Sequence, residues 1–120
     1  MPDDKTTLLL KRFPLAAVAH HEALEAMDEG RANAQARMIA GLYETLRGEG
    51  AVGQAGLLAM VDNDTPVVAG MAAVFCLVEH PDRCLDVLRR LSQEEGLLGF
   101  RASVVVERWE AGEWEQPGKK

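Results

Sequence analysis

The chain has 120 residues, 48% of them apolar, so it can bury one hydrophobic core and is expected to form a single domain. Thirteen lysines and arginines against nineteen aspartates and glutamates give a net charge of −6. This charge disfavours nucleic acid as a partner, because nucleic-acid binding depends on neutralising phosphates. It would instead attract a basic partner and speed the encounter. The acidic start Met-Pro-Asp-Asp lacks the basic residues of a secretory signal, so a cytoplasmic protein is expected.

Three helices are predicted in the first half of the chain. Apolar residues spaced by three and four predict the first from Thr6 to about Met27. Pro14 would either kink this helix or separate a short helix ending at Arg12 from a second one, and the kink is preferred. The other two are predicted from about Arg31 to Arg47 and from Val52 to Val61. The inward faces of the first two helices are predicted to hold Leu9, Phe13, Ala16, His20, Leu24 and Met27, and Ala32, Ala36, Ile39, Leu42, Tyr43 and Leu46.

The longest apolar stretch of the sequence runs from Val67 to Val78 and contains no charged residue. Asp64 or Thr65 can cap a helix there, and a proline that follows suits the first helical position. His80-Pro81 closes the element, because the residue before a proline is driven out of the helical region. The stretch is apolar all round but shorter than the roughly 20 residues of a membrane span. We therefore expect a central helix, Asp64 to Val78, that is buried on most faces.

Two more helices are predicted in the last third of the chain. The fifth runs from Asp82 to about Glu94, with Arg83, Asp86, Arg89 and Arg90 facing water. The sixth runs from Leu97 to Glu110, with Leu98, Ala102, Val105 and Trp109 inward. A β-hairpin is the alternative for this last segment, because Val104 to Val106 are β-branched and a turn could follow. A lone hairpin would have no sheet to join, so helix is preferred. The predicted fold is all-α, with five to six antiparallel helices.

The segment Leu57 to Leu77 resembles a HEAT-type repeat. Its features are a leucine-rich first helix, an Asp/Pro turn from Asp62 to Pro66, and a second helix with Val68 and the pair Ala72-Ala73. It departs from the pattern at Ala69, where HEAT repeats usually carry the arginine of an Arg–Asp turn contact. The match is specific over about one repeat. A longer helix pair would precede it, and a degenerate pair, Asp82 to Trp109, would follow it.

The whole chain is also similar to short bacterial HEAT-like domains of unknown function. This resemblance implies a single domain over residues 1–120, with the helices in a right-handed HEAT-like stack. It also implies protein binding and not catalysis. Small, acidic, cytoplasmic members of this kind often resemble immunity proteins, which neutralise a cognate bacterial toxin. The ends of the chain, residues 1–5 and 115–120, are expected to be mobile.

Few residues are candidates for metal or thiol chemistry. His20, His21 and Glu25 form the best metal candidate, since the last two share a helix face. A zinc site needs at least three protein ligands, so this set falls short unless another residue joins it. Cys76 and Cys84 are interpreted as reduced, packed thiols, although a disulfide would suit an oxidising compartment. We expect no cofactor and no catalytic set.

Acidic residues are concentrated around the two tryptophans near the C-terminus. Trp114 lies beyond the predicted sixth helix, and it could be an exposed interface anchor or fold back over the last helix pair. A second acidic patch could form at the turn before the central helix, where solvated side chains are the alternative. The predicted partner-binding residues are Asp62, Asp64, Glu107, Glu110, Glu113 and Trp114.

The function predicted from the sequence is protein binding. The preferred form is a cytoplasmic immunity protein that occludes a basic toxin domain through its acidic surface. A self-associating scaffold or subunit, such as a homodimer formed through exposed apolar helix faces, is the first alternative. A small metal protein or enzyme using His20, His21 and Glu25 is the second. Neither nucleic acid nor a membrane is expected as a partner.

Overall fold

In a computed structural model, residues 4–117 are described, and they form six α-helices and one short 3₁₀ turn without a β-strand. The all-α prediction is therefore confirmed. Within this range no helix combines the length and the apolar character that crossing a bilayer requires. The helices are α1 (Asp4–Glu25), α2 (Glu29–Gly48), α3 (Ala51–Ala59), α4 (Pro66–Cys76), α5 (Pro81–Leu91) and α6 (Gly96–Glu110), and the 3₁₀ turn is Met60–Asp62.

The chain divides into two compact units, Met1–Ala59 and Met60–Lys120. The first contains α1 to α3, and the second contains the 3₁₀ turn and α4 to α6. Each unit has its own buried residues. The single HEAT-like domain and the right-handed stack remain predictions. Part of the predicted mobile ends, residues 1–3 and 118–120, lies outside the described residues.

The first unit is built on an antiparallel pair of helices, α1 and α2. Three residues connect the end of α1 to the start of α2. At the opposite end, the Thr6 hydroxyl donates to Glu49 Oε1 at 3.1 Å, and Lys5 Nζ lies 3.4 Å from Glu49 Oε2. Contacts at both ends of the pair require the two helices to run in opposite directions. The helix α1 continues through Pro14, so the alternative of two separate helices does not occur.

Most of the predicted inward residues of the first unit are buried, including Phe13, Ile39 and Leu46. For two residues, Met27 and Ala36, the prediction that they face inward is wrong. Met27 is 90% exposed, because α1 ends at Glu25 and Met27 lies in the turn with φ +58°, where helical spacing no longer applies. Ala36 is exposed because it lies at the edge of the buried stripe of α2 and not at its centre.

The second unit is organised around α4. Pro66 opens this helix as predicted, and Asn63 Oδ1 accepts a hydrogen bond from the Thr65 amide at 2.8 Å just before it. The helix is shorter than predicted, since it ends at Cys76 and Val78 is 54% exposed. Its burial on most faces is confirmed. The buried residues of α4 are Val68, Ala69, Gly70, Ala72, Ala73, Phe75 and Cys76.

The helix α5 packs against α4, and α6 packs against α5. The helix α5 begins at Pro81 and buries Cys84, Leu85 and Leu88. Arg83, Asp86, Arg89 and Arg90 are exposed, as predicted, but the helix ends at Leu91 and not near Glu94. The last segment is helical, so the hairpin alternative is excluded. The predicted third helix, Val52 to Val61, instead ends at Ala59 and is followed by the 3₁₀ turn.

Candidate functional site

The helix α6 has apolar residues on two opposite sides, and its fully buried residues lie on only one of them. Gly99 and Ala102 are the buried residues of this helix. A Cβ atom added at Gly99 would lie 1.7 Å from the carbonyl oxygen of Glu94, so the turn that leads into α6 is packed closely against this side of the helix. Leu98, Val105 and Trp109, which the sequence predicted to face inward, are partly buried. This side of α6 belongs to the core.

The opposite side of α6 carries an apolar stripe formed by Leu97, Phe100 and Val104, called here the outer stripe. Phe100 is three residues after Leu97, and Val104 is four residues after Phe100, so the three side chains lie on one side of an α-helix. Phe100 is 65% exposed, whereas Leu97 and Val104 are partly buried, like Leu98, Val105 and Trp109 on the other side. A phenylalanine with so much of its ring in water is unusual, because aromatic side chains are normally buried in a core or an interface. The outer stripe is therefore the best candidate for a binding surface.

A free carboxylate lies at the end of the outer stripe. Glu107 is seven residues after Phe100 and hence on the same side of α6. Its side chain is exposed, and it makes no ion pair within the described residues. The sequence had predicted Glu107 as a partner-binding residue without the apolar stripe beside it. The structure brings this acidic residue and the exposed phenylalanine together.

The other predicted acidic residues are in different situations. Glu110 Oε2 lies 3.0 Å from Arg89 Nη2, and Asp62 pairs with Arg83, so both charges have a partner in the same unit. Asp64 is exposed at the turn that precedes α4, and Glu113 is exposed just beyond α6. Neither makes an ion pair with another described residue. These four residues thus do not form one acidic cluster on α6.

The chain after α6 folds back towards α4. The Glu113 amide donates to the Arg108 carbonyl at 2.8 Å, and Gly112 has φ +74°, which turns the chain. Further on, Gln116 Nε2 donates to the Phe75 carbonyl at 2.9 Å. Trp114 between them is partly buried, and its Nε1 is enclosed without a hydrogen-bond acceptor among the described residues. This geometry corresponds to the folded-back interpretation of Trp114 and not to a fully exposed anchor.

The metal and thiol candidates are placed in α1, α4 and α5. His21 Nε2 lies 3.3 Å from Glu25 Oε2, while His20 is buried. Within residues 4–117, no group of three or more His, Cys, Asp or Glu side chains is arranged to hold a metal ion. Cys76 and Cys84 are both free and buried, and burial raises the pKa of their thiols to about 12 and about 11. Thiols in this state are poor nucleophiles because the thiolate is the reactive form.

No family model, curated protein or solved structure was found to match the chain. The candidate site is therefore defined by geometry alone. Sequence reasoning missed Leu97, Phe100 and Val104 as surface residues, although the segment contains more apolar residues than one helix face needs. That excess was the available signal.

Proposed function

We propose that the chain is a protein-binding module that uses the outer stripe of α6 together with Glu107. The observation that carries this proposal is the 65% exposure of Phe100 between two further apolar residues of the same helix face. Moving apolar surface out of water contributes about 25 cal/mol per Å², so covering this stripe favours association. Aromatic residues are also enriched at the centres of protein interfaces.

The charge of the second unit supports a basic partner. Residues 60–120 contain eleven aspartates and glutamates and seven lysines and arginines, which leaves a net charge of −4. Glu107 stands next to the apolar stripe, where a lysine or arginine of a partner can pair with it. Complementary charges mainly accelerate the encounter and fix the orientation, while the apolar contact supplies the affinity. We therefore expect binding that salt weakens without abolishing the apolar contribution.

Within this class, the proposal is a cytoplasmic immunity protein that masks a basic toxin domain. Its support is the resemblance to HEAT-like domains, the acidic charge and the exposed stripe. The mechanism would be steric occlusion, in which α6 covers the surface that the toxin uses on its own target. Such a mechanism needs no catalytic group in this chain, and it places the decisive contacts at Phe100 and Glu107.

The test is affinity capture from a lysate of the native host with three baits: the unchanged chain, Phe100→Glu and Val78→Glu. Val78 is the matched control, because it is an exposed apolar residue of the same unit outside α6. We expect one basic protein with the unchanged chain and with the Val78 variant, released in part by a salt step and absent from the Phe100 variant. Equal recovery by all three baits, or recovery of no protein, would contradict the proposal.

A further inference from the structure

A second exposed apolar pair lies on α1, in the first unit. Leu8 is 48% exposed and Leu15 is 71% exposed, and their spacing of seven residues places them on one side of the helix. Lys11 and Arg12 stand between them. Both are exposed, and neither makes an ion pair with a described residue. These four residues are called here the basic stripe of α1.

The basic stripe of α1 and the outer stripe of α6 have matching dimensions. Leu8 and Leu15 are separated by about 10 Å along their helix, and so are Leu97 and Val104, since an α-helix rises about 1.5 Å per residue. Apolar residues repeating every seven positions are the spacing with which two helices pack side by side. Each stripe therefore offers the other a contact of two helical turns.

The charges of the two stripes are complementary on one flank. Glu107 lies beside Phe100, whereas two arginines, the partly buried Arg101 and the exposed Arg108, lie on the other flank, beside Leu97 and Val104. A basic helix would consequently approach from the side of Phe100. There a lysine can pair with the Glu107 carboxylate, and an arginine can stack over the Phe100 ring.

From this match we propose that the basic stripe of α1 docks on the outer stripe of α6 of a second copy of the chain. The inference rests on the proposed function, because it uses the same α6 surface, and it names a second copy as one occupant of that surface. The two faces differ, so the contact is heterologous, and it continues from copy to copy into a ring or an open chain. A contact of this size lies at the low end for protein interfaces, so the association is weak and dependent on concentration.

The test uses two variants that each remove one face, Leu15→Glu and Phe100→Glu, in sedimentation velocity over a concentration series. Both positions are mostly exposed, so both variants are expected to fold, and circular dichroism checks this. The unchanged chain is expected to form larger species as its concentration rises, and each variant alone stays monomeric. An equimolar mixture is expected to form dimers and nothing larger, because it contains one intact face of each kind.

Two results would overturn the inference. The first is an unchanged chain that stays monomeric up to several hundred micromolar. The second is a mixture that stays monomeric, since this would mean that any association uses other faces. A charge exchange adds a further check: Lys11→Glu and Glu107→Lys should each weaken the association, and the double variant should regain part of it. If these results fail while the affinity capture still recovers a foreign basic protein that depends on Phe100, the self-association is wrong and the proposed function stands.

Discussion

The helices α4 and α6 are both composed mainly of apolar residues. The second unit buries α4 on most faces, whereas Phe100 of α6 stays exposed. In α4, seven of eleven residues are buried, whereas in α6 only Gly99 and Ala102 are. Small residues explain the burial of α4: a Cβ atom added at Gly70 would lie 3.1 Å from Leu91 Cδ1, so neighbouring helices pack closely against it. In α6 the exposed Phe100 lies on the side opposite Gly99 and Ala102. The comparison shows that apolar content alone does not make a helix central. The apolar residues of α6 that stay exposed are the surface that we propose for binding.

The largest expected effect is a difference in stability between variants of the two phenylalanines, Phe75 in α4 and Phe100 in α6. Replacing Phe75 by Ala should lower the free energy of unfolding by about 3–5 kcal/mol, because the side chain is 4% exposed and a cavity would remain. The same replacement of Phe100 should change it by less than about 0.5 kcal/mol, as expected for a surface residue. Urea denaturation followed by circular dichroism measures both values. Similar losses for the two variants would mean that α6 is covered on both sides.

The next effect concerns the covered side of α6. Replacing Gly99 by Ala should cost about 1–3 kcal/mol, because its Cβ would meet the Glu94 carbonyl and the backbone would have to move. Gly41→Ala is the control, since this helical glycine of α2 has open space around its Cβ position. That substitution should stabilise the protein by about 0.4–1 kcal/mol. If Gly99→Ala also stabilised the protein in a urea melt, the close approach of the Glu94 carbonyl to Gly99 would be wrong.

The buried thiols predict a dependence of stability on pH. The folded protein holds the pKa of Cys76 at about 12, raised mainly by burial, against 9.0 for an exposed thiol. Below pH 9 both states keep the thiol protonated, so its contribution to stability is fully present. As the pH rises towards 12, the unfolded chain loses the proton first, and the free energy of unfolding falls. In urea melts at increasing pH, the free energy of unfolding should decrease less for Cys76→Ala than for the unchanged chain. An equal decrease for both would contradict the burial of Cys76.

Reactivity of the thiols gives a second measure of the same burial. A thiol reagent should modify Cys76 and Cys84 slowly in the native protein and rapidly in urea, because neither side chain is exposed. Mass spectrometry counts the modified residues with time. Rapid labelling of the native chain would contradict the placement of α4 and α5 in the core.

The smallest expected effect is that of the ion pair at the end of α6. Glu110→Gln removes the pair with Arg89, but both side chains are more than half exposed. Such pairs contribute about 0.2–1 kcal/mol, and added salt weakens them. A thermal melt at low and high salt measures the difference between the variant and the unchanged chain. A loss well above 1 kcal/mol would mean that Glu110 is part of the covered surface.

Much of the fold could be predicted from local signals. Pro66 and Pro81 each occupy the start of a helix, where a missing amide proton costs nothing, and both helices begin there. The end of α1 was missed because Ala26 and Met27 carry no stop signal, and the helical spacing continued past Glu25. The open side of α6 was missed for a different reason. Periodicity shows that a helix has apolar faces, whereas the number of neighbouring helices decides which of them is covered.

The most direct test of the binding surface is photocrosslinking in the native cell, with a benzoyl-phenylalanine in place of Phe100. The same group at Val78 is the control, because it is exposed in the same unit but lies outside α6. We expect a discrete crosslinked product at position 100, joined either to a basic protein or to α1 of a second copy, and little or none at position 78. Peptide mapping of the product identifies which of the two occupies the stripe. The absence of a crosslinked product with the group at position 100, or equal amounts of product at positions 100 and 78, would contradict the account.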